Sequence, residues 1–205
     1  MEEIDGVWYY FNSNGFLMES VDSESAETLK ASDMIVTAYG KSGPKSEGST
    51  PRFVTVDDCQ GNLIIIDGGS KSQYKAVHDV LKMYGRDVTA WILTNDDKNT
   101  SGAFSRIYKS FVKDTAEGKS DAHPVNIQEV YTADSFESEE FKEITAEAEN
   151  IKHISAGDKF KTGGVSIEVE EESDGMLTLT ICGEKDSIQL KELDFSENGR
   201  SFILH

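Results

Sequence analysis

Two short runs constrain this chain more than anything else in it: Leu63-Ile64-Ile65-Ile66 and Val88-Thr89-Ala90-Trp91-Ile92-Leu93. Neither shows the clean apolar–polar alternation of a strand with one wet face, and turn-forming residues bound both. Each therefore reads as a strand covered on both faces. Between them, Ser72–Tyr84 sets Tyr74, Val77, Leu81 and Tyr84 at 3- and 4-residue spacing, which predicts a helix with one buried stripe. Gly85 ends it. The first run closes on Asp67-Gly68-Gly69, the second on the polar stretch Thr94-Asn95-Asp96-Asp97-Lys98-Asn99-Thr100-Ser101-Gly102-Ala103.

The same logic extends in both directions. Met34–Tyr39 reads as a strand. Arg52–Val56 and Asn62–Ile66 read as a hairpin turned by Asp57-Asp58-Cys59-Gln60-Gly61. Ser101 is placed to cap a helix over Gly102–Val112, with Phe104, Ile107, Tyr108 and Phe111 inward. Val125–Tyr131 is a strand, and Ser138–Asn150 a helix burying Phe141, Ile144 and Ala148. Lys152–Ser155, Val165–Glu170, Met176–Cys182, Ser187–Leu190 and Ser201–Leu204 are short strands. This alternation predicts an α/β protein built in layers.

Ahead of that domain, residues 6–18 carry Trp8-Tyr9-Tyr10-Phe11, an Asn-Gly turn and a returning apolar run, the pattern of a β-hairpin. Residues 19–33 are rich in Ser, Asp and Glu, with a possible helical turn at Ala26–Lys30. The expected division is a hairpin at 1–20, an acidic linker at 21–33 and a main domain at 34–205. Lys41–Pro51, rich in Gly, Ser and Pro, is expected to be an exposed loop.

The 205 residues hold 38 Asp and Glu against 20 Lys and Arg, a formal net charge of -18. A field of that sign repels nucleic acid and anionic membranes, and no local basic cluster is expected to offset it. No apolar run is long enough to span a bilayer. The first residues lack a signal-peptide pattern. Met1-Glu2-Glu3 fits a cytosolic start and equally a piece cut from a longer protein. Cys59 and Cys182 lack CxxC spacing and stand as core thiols or one bridge.

The order of Leu63–Gly69, helix, and Trp91–Ala103 resembles the front half of the metallo-β-lactamase superfamily. Ile154-Ser155-Ala156-Gly157-Asp158-Lys159-Phe160 before Gly163-Gly164-Val165 looks like the family's later turn and strand. The resemblance runs from about Met34 to Val169. It implies metallo-β-lactamase-like αββα layers, here as a complete or an incomplete copy, behind an N-terminal β-hairpin. It also implies a zinc site in the loop after Thr94, read there as Thr-His-x-His-x-Asp-His-x-Gly. Aligned on Gly102, the histidine positions fall on Asn95, Asp97 and Thr100, and the aspartate on Asn99. Asp67 matches an early aspartate that supports the loop through hydrogen bonds.

Neutral oxygen donors are poor partners for zinc, so the resemblance implies a vestigial site of Asp67, Asn95, Asp97, Asn99 and Thr100, no cofactor and no catalytic residue. Only Asp97 is suited to a divalent cation. Asp97–Gly102 imitates the start of a calcium loop, but the twelfth position, which requires glutamate, is Tyr108. His78, His123, His153 and His205 have neither HxH nor HxxxH spacing, with His153 the least improbable ligand.

The hairpin resembles one copy of the repeats of choline-binding and glucan-binding surface proteins. Such repeats hold ligands in aromatic cages, so Trp8, Tyr9 and Tyr10 in a single copy imply weak binding of choline or a cell-wall polymer. Three readings follow. One is a non-catalytic module, a pseudoenzyme of a bacterial surface or wall-associated protein. A second is a phosphodiesterase-like metal-dependent hydrolase with a rebuilt site around Asp67, Asp97, Asn95 and His153. The third is an acidic cytosolic interaction domain.

Overall fold

The fold comes from a computed structural model whose described residues are 2–5, 7–11, 17–21, 34–40, 53–117, 125–134, 136–146, 148, 150–171, 177–193 and 200–205. Lys41–Pro51, the turn at Ala26–Lys30, the Asn-Gly turn and His123 lie outside the described residues.

The main sheet has seven strands in the order β14-β4-β5-β6-β7-β8-β9. They are β4 (Met34–Tyr39), β5 (Phe53–Asp57), β6 (Leu63–Asp67), β7 (Asp87–Ile92), β8 (Asn126–Ala133), β9 (Ile151–Ile154) and β14 (Arg200–Leu204). β14, β4, β5 and β6 pair antiparallel; β6 to β9 pair parallel. Parallel neighbours require crossovers. α1 (Tyr74–Met83), α2 (Gly102–Ala116) and α3 (Glu139–Thr145) supply them.

The faces of this sheet are distinguishable from two aromatic contacts. Trp91 lies edge-on to Phe104 of α2, ring centroids 5.2 Å apart. Trp91 pairs with Val130, so the next residue, Tyr131, points to the other face. Tyr131 stacks at 4.4 Å on Phe160 of β10 (Lys159–Thr162), in the second sheet. That sheet is antiparallel, in the order β10-β11-β12-β13, with β11 (Val165–Glu171), β12 (Leu177–Cys182) and β13 (Ser187–Gln189).

Alternation along β11 and β12 settles which side of the second sheet is buried. Ile167 faces Ile181 and Val169 faces Leu179, all inside the common core. The intervening pairs, Glu168 with Thr180 and Glu170 with Thr178, form the outer face. There the Thr180 hydroxyl and the Gln189 amide both donate to Glu170 Oε1, each at 3.1 Å. This face is polar, yet its Thr178 and Thr180 are buried and its Glu168 and Glu170 half-buried. Helices, main sheet and second sheet form successive layers.

β1 (Glu2–Ile4), β2 (Val7–Phe11) and β3 (Leu17–Val21) form a separate three-stranded sheet. The expected hairpin is its β2–β3 pair. It runs to Val21, the first residue of the expected linker.

Two further expectations need correction. The helix expected over Ser138–Asn150 stops at Thr145, although Ser138 caps it, its hydroxyl accepting the Phe141 N–H at 3.3 Å. Asn150 is already engaged with the sheet: its carbonyl accepts the Val130 N–H at 2.9 Å and its amide donates to the Ile127 carbonyl at 3.0 Å. Lys159–Thr162, absent from the expected strands, is a strand paired to β11. Cys59 and Cys182 are half-buried thiols and form no disulfide.

Candidate functional site

β6 and β7 end side by side, and their C-terminal ends carry the loop in which the sequence places chemistry. Asp67 closes β6 with φ of 61°, a left-handed conformation costly for a residue with a Cβ. Its Oδ1 accepts the Thr94 N–H at 2.9 Å. The Thr94 hydroxyl lies 3.0 and 2.9 Å from its two oxygens and has one proton to give. The Asp67 carbonyl accepts the Trp91 indole N–H at 2.8 Å. Asp67 thus binds the start of the loop to the end of its own strand. Burial pushes its carboxyl up to about 6, against the opposing pull of the two Thr94 donors.

The next turn is stitched from below. The Ala103 N–H donates to the Gly69 carbonyl at 3.0 Å. A Cβ on Gly102 would sit 2.5 Å from the Lys71 backbone nitrogen, so α2 begins at this point only because residue 102 lacks a side chain. The glycine that sets the loop's register in the sequence has a steric reason for being there.

Within the loop the polar groups bind one another. Asn95 Oδ1 accepts the Asp97 N–H at 3.0 Å, and Asp97 Oδ1 accepts the Asn99 N–H at 2.7 Å, two successive Asx turns. The Asp97 carbonyl accepts the N–H groups of Thr100 and Ser101, both at 2.8 Å, and the Ser101 hydroxyl at 3.0 Å. The expected capping hydroxyl of Ser101 therefore points back into the loop. Asp97 and Asn99 are exposed; Asn95 and Thr100 are half-buried.

Asp96, which the sequence reading passed over, anchors the loop to the next element. Its Oδ2 accepts the N–H groups of Glu137 and Ser138 at 2.9 and 2.7 Å, at the start of α3. Its signal was available: a carboxylate four residues after a buried strand, opposite a Ser-initiated helix. On the other side, the Leu177 N–H donates to the Thr94 carbonyl at 3.0 Å, bringing β12 against the loop.

The remaining candidates lie apart. His153, in β9, is exposed, with Nδ1 3.1 Å from Asp134 Oδ1. His78 is on α1, where burial and then the Lys82 and Arg86 charges push its imidazole down. The His205 N–H donates to Asp186 Oδ1 at 2.9 Å, beside the β12–β13 turn. Tyr108, at the twelfth position of the calcium-like pattern, is buried in α2. Of Trp8, Tyr9 and Tyr10 in β2, only the Tyr9 side chain is described, and it is half-buried.

A second polar cluster went unread in the sequence. Glu129 of β8 accepts from the Tyr131 hydroxyl at 2.7 Å, from the Thr162 hydroxyl at 3.1 Å and from Lys152. These bonds tie both sheets together beneath the Tyr131–Phe160 stack.

Zinc requires imidazole, thiolate or carboxylate ligands converging within bonding distance. Among the described residues, no three His, Cys, Asp or Glu side chains do so. The loop offers two carboxylates, Asp96 and Asp97, which accept backbone N–H groups of Glu137, Ser138 and Asn99. The residues described do not fit a zinc centre.

A helix-covered main sheet packed on a second sheet, with the loop at the ends of its parallel strands, defines a metallo-β-lactamase fold. The metallo-β-lactamase fold protein YhfI from Bacillus subtilis superposes with a TM-score of 0.56 at 15% identity, over 77% of this chain and 62% of that one. The chain thus spans about three-fifths of that relative's length. Also similar are MEM-A1, a subclass B3 metallo-β-lactamase from a soil metagenome library (TM-score 0.49, 13% identity, 77% and 58% covered), and a flavoprotein from Thermotoga maritima (TM-score 0.45, 14% identity, 64% and 30% covered). No protein-family model matches the sequence, and no curated protein does.

Proposed function

We propose that this chain is a non-catalytic module with the metallo-β-lactamase fold, part of a bacterial surface or wall-associated protein. One observation carries the reading: the loop's Asn95, Asp96 and Asp97 side chains all accept backbone N–H groups, of the loop itself and of α3. Such a loop is organised as a structural connection. The N-terminal β1–β3 sheet is the remnant of a wall-binding array, with Trp8, Tyr9 and Tyr10 giving weak affinity for choline or a cell-wall polymer.

Elemental analysis of the purified protein tests this, paired with thermal melts in EDTA, zinc, manganese and calcium. The expected result is no stoichiometric metal and unchanged melts. Near-stoichiometric metal, or a marked shift with one ion, would overturn the proposal in favour of a rebuilt hydrolase site. Calorimetric titration with choline tests the hairpin.

A further inference from the structure

We infer that the α1 ridge is a docking surface for an acidic peptide segment of a partner protein. The chain as a whole is strongly acidic, and the sequence reading expected no basic cluster. The structure corrects that. Between residues 71 and 86 there are four basic residues and one acidic residue, Asp79, in a chain with 38 acidic and 20 basic. Lys75, His78 and Lys82 fall within an arc of about 60° at 3.6 residues per turn, and Lys71 lies in the 3-10 turn that leads into the helix. Val77 and Leu81 occupy the buried side. Lys71, Lys75 and Lys82 are exposed and His78 is half-buried.

Two further observations show that these charges form one patch. The Lys82 and Arg86 charges both act on His78, holding its imidazole down after burial has done so. From α2, the Arg106 guanidinium lies 3.4 Å over the Tyr74 ring, extending the ridge across the groove between the helices. The Lys82–Asp79 pair is exposed, with 45% and 52% of the side chains accessible, so it is weak and open to exchange.

Helix stability does not account for this arrangement. The positive end of a helix favours acidic residues, yet the first turn of α1 has none; Lys75 stands there, and Lys71 lies just ahead of it in the 3-10 turn Lys71–Gln73. Their charges oppose the helix dipole.

The shape of the patch selects among anions. Its ridge from Lys71 to Lys82 is about 17 Å long and one helix wide. An extended peptide of about five residues covers that length. Beyond about 8–10 Å, charges are screened at physiological salt, so a narrow segment on the ridge feels mainly the local positive charge. Duplex nucleic acid and membrane surfaces are broader than the ridge and meet the field of a chain with a net charge of -18. Large exposed apolar side chains, which a membrane contact would use, are absent from the ridge among the described residues.

The test is fluorescence anisotropy with a labelled peptide of about 12 alternating Glu and Ser residues, against a Gln-Ser control, at about 50 and 300 mM salt. The expected result is saturable binding of the Glu peptide alone, weakened about tenfold or more at the higher salt. The Lys75→Glu/Lys82→Glu variant should weaken it by about tenfold or more, while Lys75→Arg/Lys82→Arg retains it. Should the charge reversals lower the melting temperature, Lys75→Gln and Lys82→Gln carry the same comparison. No binding by the unaltered protein, equal binding by the reversed variant, or tighter binding of a duplex of about 20 base pairs or of phosphatidylglycerol vesicles, would overturn the inference.

Discussion

The two ends of β6 are built from the same parts and behave differently. At one end, Asp58 turns the β5–β6 hairpin; at the other, Asp67 holds the Thr94 loop. Asp58 collects the Gln60 and Asn62 backbone N–H groups at 2.9 Å each, and the Asn62 side-chain amide. Glycines press on this end too: a Cβ on Gly164 would come 2.9 Å from Asp58 Oδ2, and one on Gly163 2.8 Å from Asn62 Cβ. Asp67 has donors from a single residue, Thr94, and Oδ2 must share the one hydroxyl proton with Oδ1. A buried carboxylate with several backbone donors is a finished structural joint. One left short of donors stores a cost.

The largest test of this contrast is Trp91→Ala. Trp91 is fully buried, packs on Phe104 and gives its indole N–H to the Asp67 carbonyl. Its loss should cost about 3–5 kcal/mol in urea unfolding. A cost below about 1 kcal/mol would show that the Asp67 end relaxes freely. Next come the glycines, one at each end. Gly163→Ala must be accommodated at φ of 51° against Asn62 and Thr89, and Gly102→Ala against the Lys71 backbone. Each should cost about 1–3 kcal/mol. A neutral Gly163→Ala would mean that the hairpin end is looser than the site end.

How much of this was legible depended on range. The buried strands β6 and β7 and the α1 stripe were readable because their periodicity is local. Val77 and Leu81 are fully buried as the spacing implies. Gly102 kept its register, but its reason, the Lys71 backbone 2.5 Å from a would-be Cβ, lies 31 residues upstream and has no sequence signature. The Asp96–Ser138 link and the Glu129–Thr162 bond are likewise long-range. Asn150 looked like helix because Ala148 continues the apolar spacing; pairing with Val130 won instead. The basic ridge was hidden by averaging, since a net charge of -18 says nothing about one helix.

Protonation gives a further test of the Asp67 end. The Asp67 carboxyl is raised to about 6, above its ordinary value. The folded protein then binds this proton more tightly than the unfolded chain. Stability from this group is present below the unfolded value near 4 and is lost as pH rises through about 6. Asp67→Asn removes that dependence while keeping an acceptor for Thr94. Relative to the variant, the unaltered protein should lose up to about 2 kcal/mol between pH 4 and pH 7. Parallel stability curves for the two proteins would show that solvent reaching Asp67 cancels its burial, and the contrast with Asp58 would weaken.

The smallest effect is expected at Asp97, and its smallness is informative. A carboxylate that held a divalent ion would, when removed, forfeit the ion's whole contribution to the fold. One that only accepts an exposed backbone N–H forfeits a local turn bond. Asp97 Oδ1 accepts the Asn99 N–H at 2.7 Å on an exposed surface. Asp97→Ala should therefore lower stability by about 0.5–1 kcal/mol, with the same loss in EDTA, zinc and calcium. Asp97→Asn, which can still accept that N–H, should recover most of it. A loss that depends on the ion present, and that Asn does not repair, would make Asp97 a ligand and return the loop to chemistry.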